Sequence, residues 1–155
     1  MPRLRRSSAT YVREFFALRT LAFVGASRNS KKFANMAYRD LRAKGYTLIP
    51  VNPHAESIEG DRCYPSLTAL PQPVEGAVIM VPPSEAASVV RDAAAAGIRR
   101  VWLQQGAESP AALDLCDREG ISAVAGECVL MFAEPAQVFH RVHRFGRKLL
   151  GTLPR

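Results

Sequence analysis

Leu21-Ala22-Phe23-Val24-Gly25-Ala26-Ser27 is the stretch on which the fold turns. Four apolar residues run straight into glycine and a small polar residue, the pattern of a strand buried on both faces that ends in a tight turn. Residues 33–44 then show helical periodicity, with Phe33, Met36, Ala37 and Leu41 at three-to-four spacing and Gly45 placed to end the helix.

The same alternation continues in both directions from this unit. Residues 46–51 (YTLIPV) read as a second strand, in which Pro50 demands a strand end or a position that need not donate, and Asn52-Pro53 stops it. Residues 54–74 hold a Gly60-Asp61 turn signal, three prolines and room for one helical turn at 66–70, so they read as a connection with little regular structure. Residues 76–81 (GAVIMV) form a third strand. Pro82-Pro83 follows, with Ser84 as helix N-cap, Glu85 in the first turn and an alanine-rich helix ending at Gly97. Residues 100–104 (RVWLQ) make the fourth strand, Ser109-Pro110 opens a helix that runs to Glu119 before Gly120, and residues 121–125 (ISAVA) make the fifth. Residues 11–18 read as a short opening helix and residues 135–150 as a terminal one.

Five strands alternating with helices specify an α/β fold, a Rossmann-like open parallel five-stranded sheet with helices on both faces, in a single domain. Right-handed crossovers leave few topologies. The expected strand order is 3-2-1-4-5, with the flavodoxin-like order 2-1-3-4-5 as competitor; in either, ligands sit beyond the carboxyl ends of the strands at the switch point. Residues 21–132 form the expected domain, with a helical extension at 1–20 and a basic helix at 133–155 packed on the same domain.

The chain has 155 residues, 48% of them hydrophobic, and a formal net charge of +7. The excess is at the ends: residues 1–20 carry five Arg against Glu14, and residues 140–155 carry four Arg and Lys148 with no acid. No stretch approaches the ~20 apolar residues that span a bilayer, so no membrane insertion is expected and a cytoplasmic location is the default. Three cysteines, Cys63, Cys116 and Cys128, lack CxxC or Cys/His spacing, which argues against a disulfide framework and against a metal. The terminal helix places Val142, Phe145 and Leu149 on one face among charges, yet no zinc-finger, RNP-like or aromatic pattern supports nucleic acid as a partner.

The loops after the strands are then the candidate site. The first, Gly25-Ala26-Ser27-Arg28-Asn29-Ser30-Lys31-Lys32, joins a strand to a helix start and so offers backbone N–H groups and a positive dipole end to phosphate. A GxGxxG fingerprint would need glycine at 25, 27 and 30, and only Gly25 complies. Asn52 stands where an NAD site would place its ribose-binding acid. Arg28, Lys31 and Lys32 instead suit a ligand with more phosphate, although Lys31 and Lys32 equally fit a solvated helix start. Val81-Pro82-Pro83 is a rigid exit that suits a flat apolar group, and Gln104-Gln105-Gly106 offers neutral amides.

Val24-Gly25-Ala26-Ser27, Gly45-Tyr46 leading to Pro50-Val51-Asn52-Pro53, Ile58-x-Gly60, Cys63-Tyr64-x-Ser66-Leu67, Val81-Pro82, and Val101-Trp102-Leu103-Gln104-x-Gly106 through to Cys128 follow one another in unbroken order. Together they resemble the small stand-alone CoA-binding proteins, which are similar to the nucleotide-binding domain of the succinyl-CoA synthetase alpha subunit. The resemblance covers residues 15–132. It implies that CoA or acyl-CoA lays its pyrophosphate against Gly25, Ala26 and Ser27; Arg28 and Lys32 join them as candidate contacts from the cationic reading of the loop. Asn52-Pro53 would lie beside the ribose phosphate, Val81-Pro82-Pro83 near the adenine, and Gln104 to Gly106 along the pantetheine. Two departures stand out: Cys128 is followed by Val129 rather than the usual proline, and Ser30-Lys31-Lys32-Phe33 is looser than the usual loop.

No catalytic constellation is visible. His54, His140 and His143 lack a partner Ser, Cys or carboxylate at recognisable spacing, and Asp114, Asp117 and Glu119 read as one solvated helix face. The expectation is a non-catalytic CoA-binding module, with a second copy or a separate enzyme subunit left open as partner. Two alternatives stand beside it: an NAD(P)-linked oxidoreductase-like domain using Arg28 and the lysines for a 2′-phosphate, and a redox-responsive protein whose Cys128 forms a mixed disulfide with CoA.

Overall fold

The computed structural model describes residues 9–132. Helix α1 (Ala9–Phe16) leads to β1 (Thr20–Val24), α2 (Phe33–Ala43) and β2 (Thr47–Val51). A small hairpin, β3 (Ser57–Ile58) and β4 (Asp61–Arg62), and a 3₁₀ turn precede β5 (Gly76–Ile79). Then come α3 (Pro83–Ala95), β6 (Arg100–Gln104), α4 (Pro110–Glu119) and β7 (Ser122–Glu127). The expected helix at 135–150, the segment 133–155, His140 and His143 lie outside the described residues.

All five long strands are parallel, in the order β2-β1-β5-β6-β7. In the numbering of the sequence reading this is 2-1-3-4-5, so the expected 3-2-1-4-5 order is corrected. Pro50 supplies the physical reason. Thr47 N donates to Arg19 O, so the odd-numbered residues of β2 turn their amides toward β1 and Pro50 faces away from it. On that side Tyr64 N donates to Pro50 O at 3.0 Å and Asn52 N donates to Tyr64 O at 2.9 Å. A proline facing outward has no N–H to give a further strand, which suits β2 to the sheet edge, where the pairing is an isolated bridge between Val51 and Tyr64.

Alternate residues of each strand feed two cores. Leu21, Phe23, Val78, Trp102 and Val124 pack with Val12 and Phe15 of α1 and with Ala37, Tyr38 and Leu41 of α2. Ala22, Val24, Ala77, Ile79, Val101 and Leu103 pack with Ala86, Val90 and Ala93 of α3 and with Ala112 and Cys116 of α4. Helices thus cover both faces, as expected. Trp102 is fully buried among Phe15, Phe16 and Phe132, with ring centroids 5.0 to 5.8 Å away, and its Nε1 donates to Glu127 O.

Local departures have identifiable causes. The α4 N-cap is as read, Ser109 Oγ accepting from Ala112 N at 3.1 Å. The α3 N-cap is Pro82 rather than Ser84, because Pro83 already takes the first helical position, where its missing N–H costs nothing. On α2, Phe33 and Met36 are exposed, and Asn35 and Tyr38 are buried in their place. The Tyr38 ring stands edge-on to Phe23 at 5.3 Å while its hydroxyl donates to Asp61. That burial, followed by the bond to Asp61, pushes the Tyr38 hydroxyl well above its usual range. Residues 54–74 are more ordered than expected. Glu59 and Gly60, both at positive φ, make the two-residue turn of the β3–β4 hairpin, where Ser57 faces Arg62 and Ile58 faces Asp61. Among the described residues no helix is long and apolar enough to cross a membrane.

Candidate functional site

β1 and β5 are neighbours whose connections leave on opposite faces, so the crevice opens beyond their carboxyl ends. A cleft of about 1010 Å³ lies there, walled by the loops after β1, β2, β5 and β6 and by the start of α3. Gly25, Ser27, Lys32, Asn52, Pro53, Val81, Pro82, Gln104 and Gly106 all line it. Four chain segments far apart in sequence thus meet in one cavity.

Four expected residues are placed elsewhere. Ala26 is fully buried, and its carbonyl accepts from Asn52 Nδ2 at 3.0 Å. Arg28 lines a neighbouring cavity of about 690 Å³, which meets the cleft at Ser27 and His54. Pro83 is the first residue of α3 and does not line the cleft. Cys128 is half-buried and off the cleft wall, one residue before Val129, whose N–H donates to Gln104 Oε1 at 2.9 Å.

That last bond changes the reading of the glutamine pair. Gln104 is buried with its side-chain oxygen committed to Val129, whereas Gln105 is exposed and lines the cleft. Gln105 is therefore the more exposed of the two amides on the cleft wall. Both side chains line the cleft, and what distinguishes them is a bond between residues 25 apart, which the sequence does not show.

The first loop is internally bonded more completely than its sequence suggests. Asn29 N donates to Ser27 Oγ, Lys31 N to Asn29 Oδ1, and Lys32 N to Asn29 O. Asn35, in the first turns of α2, takes both backbone groups of Ser27: its Oδ1 accepts from Ser27 N at 2.9 Å and its Nδ2 donates to Ser27 O at 2.7 Å. The amides of Ser27, Asn29, Lys31 and Lys32 are thus already used, which leaves the Lys32 side chain and the N-terminal end of α2 to face an anion. Asn35 was not singled out in the sequence: it lies off the apolar face of Phe33, Met36, Ala37 and Leu41, so periodicity gives no signal for it.

Asn52 joins the first and second loops. Besides its bond to Ala26 O, its Oδ1 accepts from His54 N at 2.8 Å. Where a dinucleotide site carries an acid, this chain has a neutral side chain spent on loop geometry. Cys63 lies buried behind it with Sγ against Asn52 O, and desolvation raises its thiol above the ordinary range. Phe33, Glu85 and Asp92 also line the cleft, so Lys32 stands on one wall and two acids on another. Among the described residues no His, Cys, Asp or Glu group is arranged to hold a metal ion.

Comparison with known proteins bears on this geometry. The chain is 33% identical over 90 residues to the ADP-forming acetate–CoA ligase II of Archaeoglobus fulgidus, a match covering 57% of this chain and 13% of the ligase. Among solved structures, a conserved hypothetical protein from Pyrococcus furiosus is 39% identical with a TM-score of 0.68, covering 72% of this chain and 96% of that one. A hypothetical protein from Pyrococcus horikoshii is 30% identical with a TM-score of 0.75, covering 83% and 94%. Residues 19–134 match the model of the CoA binding domain family, which spans every strand and loop of the cleft. By its sequence and its fold, then, the chain belongs to the CoA binding domain family.

Proposed function

We propose that the cleft binds CoA or acyl-CoA and that the chain serves as a binding module rather than as a catalyst. The observation that carries this is the convergence of the loops after β1, β2, β5 and β6 on one cavity, in a chain whose match to the CoA-binding family includes all of them. At about 1010 Å³ the cleft is at the upper end of the usual range for small-molecule sites, which suits a long ligand better than a mononucleotide. Lys32 and the N-terminal end of α2 would face phosphate, Val81-Pro82 would provide an apolar wall for the base, and Gln105 would meet the amide-rich pantetheine arm. Asn52 in the place of a ribose-binding acid favours this ligand over NAD.

The ligase relative is far longer than this chain, and a separate enzyme subunit that uses the bound CoA is part of the proposal. Three free cysteines fit a reducing cytoplasm. Calorimetric titration with CoA, acetyl-CoA, NADP and NAD tests the reading. Saturable binding of CoA or acetyl-CoA, without comparable binding of the dinucleotides, is expected; NADP binding without CoA binding would overturn it.

A further inference from the structure

The loop from Ser27 to Ser30 is gripped at both ends by groups that lie outside the cleft. Asn35 holds the two backbone groups of Ser27, and Arg39, one helical turn further along α2, donates to Ser30 O at 3.0 Å. The same two side chains converge on one oxygen: Asn35 Nδ2 lies 3.1 Å and Arg39 Nη1 2.7 Å from Glu59 Oε1. Ser27 N–H and O already set which way the Asn35 amide points, and the Glu59 carboxylate, which only accepts, takes a further bond from Nδ2 and so anchors the side chain from the hairpin. Charge assistance strengthens the Arg39 bond, which holds the guanidinium within reach of Ser30.

Glu59 occupies this position at a conformational cost. Its φ is +51°, and it is the one described residue other than glycine with positive φ. A turn with both central residues at positive φ is best made by Gly, Asn or Asp, and a glutamate there is strained. Yet the side chain is 12% exposed and folded back onto α2 instead of extending into solvent. Turn formation does not call for this residue; the contact with Asn35 and Arg39 does.

We propose that Glu59, from a hairpin that does not line the main cleft, is a positioning residue that presets the first loop for its ligand. It anchors Asn35 and Arg39, they fix Ser27 and Ser30, and the loop meets the ligand already ordered, so binding does not bear the cost of ordering it. The proposal rests on the reading of the cleft as a CoA site, but its structural half can be read without any ligand.

Glu59→Gly and Glu59→Gln separate the two roles that the residue could have. Glycine relieves the strained φ while the bonds to Asn35 and Arg39 are lost, so Glu59→Gly should fold and melt within about 5 °C of wild type, while CoA binds about tenfold more weakly. The Ser27 amide, followed by NMR hydrogen exchange in the free protein, should exchange about tenfold faster. Glu59→Gln keeps an acceptor oxygen at the same reach and should restore most of both properties. Wild-type CoA affinity and wild-type Ser27 exchange in Glu59→Gly would overturn the proposal, as would weakened affinity with unchanged exchange, or failure of that variant to fold. If the wild-type protein itself does not bind CoA, the functional reading fails and Ser27 exchange alone decides the positioning role.

Discussion

Gly25 and Met80 approach so closely at the carboxyl ends of β1 and β5 that no side chain fits between them. A Cβ built on Gly25 would clash with the Met80 carbonyl oxygen and lie 2.7 Å from its carbonyl carbon, and Gly25 has φ of +123°. Met80 N donates to Val24 O at 2.8 Å, which holds the two strand ends together at this point. Gly25 is thus required by the adjacency of β1 and β5, in addition to any contact with phosphate.

Gly25→Ala is therefore expected to damage the fold as well as the cleft. Steric overlap and a disfavoured φ together should cost at least ~3 kcal/mol of stability. Urea unfolding checks this; a loss under 1 kcal/mol would show that the strand ends can part easily.

Gln104 and Gln105 should behave oppositely. Gln104→Ala leaves the buried Val129 N–H unpaired and should lower stability by about 1–3 kcal/mol. Gln105→Ala, at an exposed position, should leave stability within about 0.5 kcal/mol of wild type and weaken CoA binding. Thermal melts and titration of the two variants side by side provide the comparison.

Asn52→Asp keeps the acceptor for His54 N but places carboxylate oxygen against the Ala26 carbonyl, where Nδ2 now donates. A loss of about 1–3 kcal/mol is expected, together with weaker CoA binding, since a negative charge enters the cleft wall. Comparing CoA with dephospho-CoA would show whether the added charge acts on the 3′-phosphate; a larger loss for CoA is expected.

Stability should fall in alkali. Burial pushes the Cys116 thiol from 9.0 up to about 12, and burial raises the Cys63 thiol and the Tyr38 hydroxyl as well. Between pH 9 and about 12 the unfolded chain has released the Cys116 proton and the native chain has not. The native state binds more protons in that window, so its stability drops as pH rises, by up to ~1.4 kcal/mol per unit from this group. Below pH 9 the contribution is fully present. Cys116→Ala should flatten the curve over that window in denaturant titrations, whereas parallel curves would contradict the assignment.

Thiol labelling should single out Cys128. It is half-buried, whereas Cys63 and Cys116 are 7% and 1% exposed and carry raised thiols. Under native conditions a thiol-specific reagent should modify Cys128 first, and the other two only as the chain unfolds, which mass spectrometry of timed samples can follow.

The sequence by itself determined the α/β class, the five parallel strands and the loops that would carry a site. These follow from period-two and period-3.6 burial and from turn chemistry, all of which are local. It did not decide the strand order: Pro50, read as needing a strand end or a position that need not donate, is compatible with the observed edge but left both orders open, and only the assembled sheet shows 2-1-3-4-5. The buried face of α2 was not decided locally, because Phe33 and Met36 have the more apolar pattern. Only the tertiary structure supplies the partners, Phe23 and Asp61 for Tyr38 and Ser27 and Glu59 for Asn35, that make burying a hydroxyl and an amide favourable. The same holds for the glutamine pair and for Glu59. Their roles depend on hydrogen bonds between residues some 20 or more positions apart, which only the assembled fold brings within reach.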